Sequence, residues 1–354
     1  MEHFDEGGLR QMVSPTTLTM IVTLRCSAAC TNCCFSCSPR RRETMTLREM
    51  RQNIDIVSKC FPSTKLLVIT GGECTLLGYR LLLILAYAHQ KGFATRIVTN
   101  GHWASSPKRA KRYLSVLKMV GLNEISLSTG KEHAEWVPVE NVVNACAAAY
   151  SMGMTCAVNI ESPKFDRSNY NQFKEIPTIA KIIEEDARSL YLIAGEWIAK
   201  EHSITLGELI GKKAPLIPER GCDSIFTTIT YAPGSRLYGC CGLSIAKMQD
   251  LLLADTPLSD RDLYAEWGGM LNDFLKIWIF VEGPLAIIRF LAQKEPTLRA
   301  TRLQSAHSCA ICRLLFTPRV VTLLAKHYQE KRSEIFLKFS LRAQAAKVAS
   351  TAMK

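Results

Sequence analysis

The run Leu66-Leu67-Val68-Ile69-Thr70-Gly71-Gly72-Glu73, the apolar stretch 76–87 and then Thr95-Arg96-Ile97-Val98-Thr99-Asn100-Gly101 read as strand, glycine turn, helix and strand. A helix-length segment between two short apolar runs is the crossover that a parallel strand pair needs. The same alternation extends both ways along the chain. It predicts strand 18–25, helix 46–60, strand 65–70, helix 77–91, strand 94–99, helix 107–120, strand 123–129, helix 139–152 and strand 155–160. A helix near 171–186 and a sixth strand at 189–193 follow. Repeated right-handed βαβ units of this kind predict an α/β protein built on a parallel sheet.

The first strand runs into Leu24-Arg25-Cys26-Ser27-Ala28-Ala29-Cys30-Thr31-Asn32-Cys33. Its three cysteines have the C-x3-C-x2-C spacing that holds three irons of a four-iron cluster and leaves the fourth open to a ligand from outside the protein. Zinc is the competing reading, since cysteine-rich loops with C-x2-C pairs also bind it. The motifs downstream weigh against zinc. Gly71-Gly72-Glu73, Thr99-Asn100-Gly101 and Ser126-Leu127-Ser128-Thr129-Gly130 each follow a predicted strand, the end at which barrel folds build their sites.

Cysteine spacing and these motifs, in this order over roughly 18–161, resemble the radical S-adenosylmethionine (SAM) superfamily. The resemblance implies a partial (β/α)6 TIM-type barrel and an enzyme. It implies a [4Fe-4S] cluster on Cys26, Cys30 and Cys33, with the open iron chelated by the methionine part of SAM. Gly71, Gly72 and Glu73 would receive the SAM amino group, Ser126 and Ser128 would lie near the ribose, and Asn100 near the same pocket. The residue types suit those roles, because paired glycines let backbone approach a ligand and a carboxylate satisfies an ammonium. Two positions depart from the family pattern. Asn32 stands where an aromatic residue often faces the adenine, which would pass that packing to Phe35 or another side chain. Cys74 stands where proline is common, and is either a buried small hydrophobe or a hydrogen-atom donor facing the radical. Cys34 and Cys37 are open to redox or packing roles, whereas packing is the better reading for His102, Trp103 and the Cys146/Cys156 pair.

At 354 residues the chain has room for a core domain of about 200 residues and a smaller extension. The boundaries expected are a flexible lead 1–15, the barrel 16–200, an extension 201–318 with a helical insertion, and a basic helical tail 319–354. Fourteen cysteines without a signal peptide at the start point to a reducing cytoplasm rather than a disulfide scaffold. No transmembrane segment is predicted, because the apolar run 76–87 is short and contains Arg80, and 270–291 is broken by charges and Pro284. The formal charge of +12 gathers in Arg40-Arg41-Arg42, in Lys108-Arg109-Ala110-Lys111-Arg112 and in the tail from Arg313. Such patches either steer an anionic partner or are solvated helix faces. No RNA-binding motif accompanies them, which counts against nucleic acid.

Beyond the barrel, Cys222, a predicted hairpin around Ala232-Pro233-Gly234-Ser235 ending in Cys240-Cys241, and the pair Cys309-Ala310-Ile311-Cys312 resemble SPASM or twitch auxiliary-cluster extensions. That resemblance implies a second [4Fe-4S] cluster on Cys222, Cys240, Cys309 and Cys312. Zinc and unliganded thiols are the alternatives. The function implied is reductive cleavage of SAM to a 5′-deoxyadenosyl radical, fed by a one-electron donor of flavodoxin or ferredoxin type, and hydrogen abstraction from a ribosomally made peptide. An acidic precursor peptide suits the basic charge. Dehydrogenation or rearrangement of a small polar metabolite is the alternative, followed by RNA modification and by a non-catalytic iron–sulfur module.

Overall fold

The computed structural model describes residues 13–162, 166–195, 221–241, 251–295 and 307–352. The described residues of 17–200, with 230–236, form one compact unit, and the remaining ones form another.

The first unit is the predicted α/β layer. Six strands, β1 (Thr17–Thr23), β2 (Leu66–Gly71), β3 (Ala94–Thr99), β4 (Glu124–Thr129), β5 (Thr155–Glu161) and β6 (Leu190–Gly195), pair in parallel in chain order. The helices between them are α1 (Leu47–Cys60), α2 (Tyr79–Gln90), α3 (Pro107–Met119), α4 (Lys131–Ala134), α5 (Val139–Ser151), α6 (Ser168–Lys174) and α7 (Pro177–Glu185). β1 does not return to β6, so the sheet is an unclosed (β/α)6 barrel. The single helix expected near 171–186 is two, because Pro177 lacks an N–H to continue α6 and instead starts α7 at a position where that loss costs nothing.

Register divides the sheet into two chemistries. Leu18, Met20, Val22, Leu67, Ile69, Ile97, Ile125, Leu127, Val158 and Ile160 are buried on one face. The other face carries Thr70, Val98, Ser126, Ser128, Asn159 and Glu161 at the strand ends. Deeper on this face Arg96 and Glu124, opposite each other on β3 and β4, form a two-pronged ion pair with both N–O distances 2.8 Å. Polar side chains thus collect on one face near the C-terminal edge, where the loops add theirs.

The second unit contains the antiparallel pair β8 (Arg236–Tyr238) and β9 (Leu252–Ala254), and six helices: α8 (Asp260–Met270), α9 (Phe274–Val281), α10 (Gly283–Lys294), α11 (Ser308–Leu315), α12 (Pro318–His327) and α13 (Gln329–Ala352). β7 (Thr228–Ala232) leads into β8 through a turn that lies in the 230–236 stretch of the first unit; there Gly234 and Ser235 both take positive φ, 81° and 58°, as tight hairpin turns require. Phe226 packs edge-on against Phe280 (5.5 Å between ring centroids) and Phe339 (6.2 Å). Arg342 stacks over Phe280 at 4.0 Å and pairs with Asp223 at 2.6 Å. The basic tail expected as a separate segment therefore belongs to this unit, tied in by burial of Phe339 and by Arg342. The insertion is helical as expected over 260–294, whereas 242–250 and 296–300, and residues 1–12 of the expected lead, lie outside the described residues. No single described helix is long and apolar enough to cross a membrane.

Candidate active site

The Gly71-Gly72 pair answers first to the chain's own backbone. After β1 the segment Thr23 to Arg25 runs along the end of β2, where Gly72 N–H donates to the Thr23 carbonyl (2.7 Å) and Glu73 N–H to that of Arg25 (2.9 Å). A Cβ on Gly72 would stand 2.2 Å from the Arg25 carbonyl oxygen, and one on Gly71, whose φ is +147°, 2.4 Å from that of Thr23. Only glycine lets this segment lie so close, and the segment delivers Cys26.

Cys26, Cys30 and Cys33 come together on the following loop, close enough for each thiol to act electrostatically on its neighbours. Burial pushes the Cys26 thiol up to about 11 and the Cys30 thiol up to about 12, with the neighbouring sulfurs adding to both. Donors already point at the sulfurs: Ala28 N–H (3.4 Å) and the Asn100 amide (3.8 Å) at Cys26, and Cys37 N–H (3.4 Å) at Cys33. This three-thiol donor set with N–H groups aimed at its sulfurs fits an iron–sulfur cluster. Among the described residues no three His, Cys, Asp or Glu side chains are arranged to hold a single metal ion; a cubane takes each thiolate on a different iron.

Glu73 forms the floor of the site. It is 0% exposed, and its Oε1 accepts from Thr75 N–H (3.1 Å), Thr75 Oγ1 (2.6 Å) and Thr99 Oγ1 (2.7 Å), while Oε2 accepts from Asn100 N–H (2.8 Å). A buried carboxylate with four donors is satisfied in place. It joins the ends of β2 and β3, so its first task is to hold Asn100, whose amide also donates to Ser27 Oγ at 3.0 Å. Trp103 is buried against Tyr113 (centroids 4.7 Å) and donates its indole N–H to Thr99 Oγ1 (3.1 Å), which makes it a support for the floor, as its packing role predicts.

Cys74 is placed as its packing reading expects: its side chain is 0% exposed and its thiol donates to the Val98 carbonyl at 3.3 Å. Burial also holds the thiol well above its ordinary pKa. The proline it replaces could not make this bond.

On the far side, Ser126 accepts from the Asn159 amide at 3.0 Å, and Ser128 faces the same way, opposite Asn159 in register. Gly130 takes φ +129°, and a Cβ there would lie 2.2 Å from that of Glu161. This close fit lets Glu161 accept the Glu132 N–H (2.8 Å). Glu132 in turn holds Asn32 with both carboxylate oxygens, one on the backbone N–H (2.9 Å) and one on the side-chain amide. The cluster loop is thereby fastened to β5 through Asn32, Glu132 and Glu161. Sequence reading named Asn32 but missed Glu132 and Glu161; Asn32 in the position often aromatic was the available signal.

In the second unit another thiol group assembles. The Cys309 thiol hydrogen-bonds Cys241, which with burial raises it well above its ordinary pKa, and the charges of Cys312 and Cys222 add to the effect. Cys222, itself raised mainly by burial, also feels Cys241. Cys309 and Cys312 share a helix three residues apart, and the His307 ring caps that helix by accepting the Cys309 N–H at 3.1 Å. From the hairpin it is Cys241 that bonds Cys309, next to the Cys240 that the sequence expectation named. All fourteen cysteines are free thiols.

Comparison with known proteins agrees with this layout. The model of the radical SAM superfamily matches residues 20–176. YydG of Bacillus subtilis (strain 168), a protein named for peptide biosynthesis, is 25% identical over 243 residues, 65% of this chain and 70% of its own. Among solved structures, anSMEcpe with bound AdoMet superimposes with TM-score 0.50 at 12% identity, covering 92% of this chain and 100% of that one. The same enzyme with AdoMet and the Cp18Cys peptide gives 0.50 at 14%, covering 88% and 99%. These structural likenesses establish the fold. Residues 20–176 form a radical SAM superfamily domain, and the chain is an enzyme that works with a [4Fe-4S] cluster and SAM.

Proposed function

We propose that this enzyme modifies a ribosomally made peptide, drawing on a core cluster ligated by Cys26, Cys30 and Cys33 and on a second one ligated by Cys222, Cys241, Cys309 and Cys312. The observation that carries the reading is the loop of three thiols fastened beside the C-terminal strand ends, with YydG as support for a peptide substrate. When bound, the cluster and SAM supply a 5′-deoxyadenosyl radical able to take hydrogen from an unactivated C–H bond.

The protein's part is orientation. The Gly71-Gly72 backbone, with Glu73 beneath it and Asn100 beside it, would hold the SAM ammonium; Glu73 Oε2 accepts one donor, the Asn100 N–H. Ser126 and Ser128, on the polar face, would hold the ribose. Glu132 sets the height of the cluster loop through Asn32. The four-thiol set gives the second cluster a protein ligand for every iron, which suits it to accept an electron rather than bind substrate. Electrons come from a one-electron carrier of flavodoxin or ferredoxin type in the cytoplasm, where free thiols persist.

Anaerobic incubation with SAM, dithionite and short acidic candidate precursor peptides tests the reading. A changed peptide mass together with 5′-deoxyadenosine is expected, and neither in the Cys26/Cys30/Cys33→Ala variant. Continued 5′-deoxyadenosine formation in that variant overturns the ligand assignment. An unmodified peptide beside rapid turnover of a small polar metabolite overturns the substrate class.

A further inference from the structure

The segment that follows the three cysteines doubles back onto Cys33, and its geometry has a purpose that ligation does not require. Ser36 N–H donates to the Cys33 carbonyl at 3.0 Å and closes a tight turn. Ser36 itself sits at φ +53°, a left-handed conformation that a serine adopts at a cost. The result of that conformation is that Cys37 N–H points at Cys33 Sγ, 3.4 Å away. The Cys37 thiol also hydrogen-bonds the Cys33 thiol, and Cys37 is buried at 5% exposure. Arg41 fixes the turn from outside by donating to the Ser36 carbonyl at 3.1 Å, and is itself held by Glu43 at 2.7 Å. Behind it, Cys26 N–H donates to the Ser38 carbonyl at 3.1 Å, so the segment cannot drift from the cluster loop.

We infer that Cys37 is a positioning residue that sets the reduction potential of the core cluster, by donating its backbone N–H and its thiol to the sulfur of Cys33. The inference rests on the reading of Cys33 as a cluster ligand. Hydrogen bonds to cluster sulfurs are one of the levers on the potential. They favour the reduced state because the added electron raises the negative charge on the sulfurs, and a low-dielectric, buried position strengthens them. The Arg41 guanidinium, close enough to be acted on by the Cys33 and Cys37 thiols, adds positive charge on the same side. The strained Ser36 and its arginine clamp then have a common function, which is to keep the Cys37 N–H aimed.

The test compares Cys37→Val, which keeps the volume and removes the thiol donor, with Cys37→Ser, which retains a donor. Each is reconstituted anaerobically, its iron counted, and its cluster titrated with reductant under electron paramagnetic resonance. Core iron is expected to be unchanged in both. At the wild-type midpoint the ratio of reduced to oxidised cluster should fall about tenfold in Cys37→Val, about 59 mV for a one-electron couple, and recover in Cys37→Ser. An unchanged ratio in Cys37→Val overturns the inference. So does loss of about four irons from Cys37→Val, which would make Cys37 a ligand. If Cys33→Ala keeps a full core cluster, the ligand reading fails independently of this result.

Discussion

The two thiol groups are built by opposite strategies. Cys26, Cys30 and Cys33 lie within one loop, placed by backbone contacts between Thr23, Arg25 and the Gly71-Gly72 pair and fastened across the sheet by Glu132. Cys222, Cys241 and the helical pair Cys309 and Cys312 come from three segments, and their meeting depends on a hairpin, a capped helix and the aromatic packing around Phe226. The local group stands beside the polar sheet face, and the dispersed one gathers four thiols in the helical unit. The first is thus placed by backbone contacts at strand ends, and the second by tertiary packing.

This contrast breaks most readily at the glycines. Gly72→Ala forces the Arg25 carbonyl away from β2 and moves the Cys26 loop, so 5′-deoxyadenosine formation should fall at least about 100-fold, as misplacement on the order of 1 Å does elsewhere. Iron on the dispersed group should be untouched. Equal loss of both irons would mean that the two groups are not independent.

A smaller effect is expected from the floor. Glu73→Ala leaves the Thr75, Thr99 and Asn100 donors buried without their acceptor, for roughly 3 kcal/mol of lost stability. Denaturant melts followed by a barrel probe should show this loss, and a probe of the α8 to α13 unit should not.

Acid sharpens the same comparison more gently. Burial lowers the His133 pKa to about 4, so the folded chain leaves this ring neutral where the unfolded chain protonates it below about 6.5. The unfolded state then binds the extra proton, and stability is lost as pH falls from about 6.5 toward 4. His133→Gln should flatten that loss by roughly 2 kcal/mol in the barrel transition alone, with a parallel loss in both proteins as the contrary result.

What could be read from residues alone follows the same divide. Strand and helix alternation, the three-cysteine loop and the motifs ending β2, β3 and β4 are local patterns, and the barrel with its site edge follows from them. Contacts made over long separations were not legible. Glu132 reaches Asn32 across 100 residues, and although Asn32 stood out as a departure, nothing near it named Glu132 as its partner. Position in a motif does not reveal which way a thiol turns after a glycine pair, so residues alone left Cys74 between packing and a site role, and its burial came from the fold. Cys240 and Cys241 are adjacent and chemically identical, so spacing alone does not say which of them meets Cys309. Pro177 did carry a visible signal, the break between α6 and α7.

Iron and acid-labile sulfide per chain, counted after anaerobic reconstitution, test the two-site account most directly. The account predicts about eight irons in the wild type, about four in Cys26/Cys30/Cys33→Ala, about four in Cys222/Cys241→Ala and about eight in Cys240→Ala. Four irons in the wild type that vanish entirely from the first variant, or full occupancy of the second group without Cys241, would contradict it.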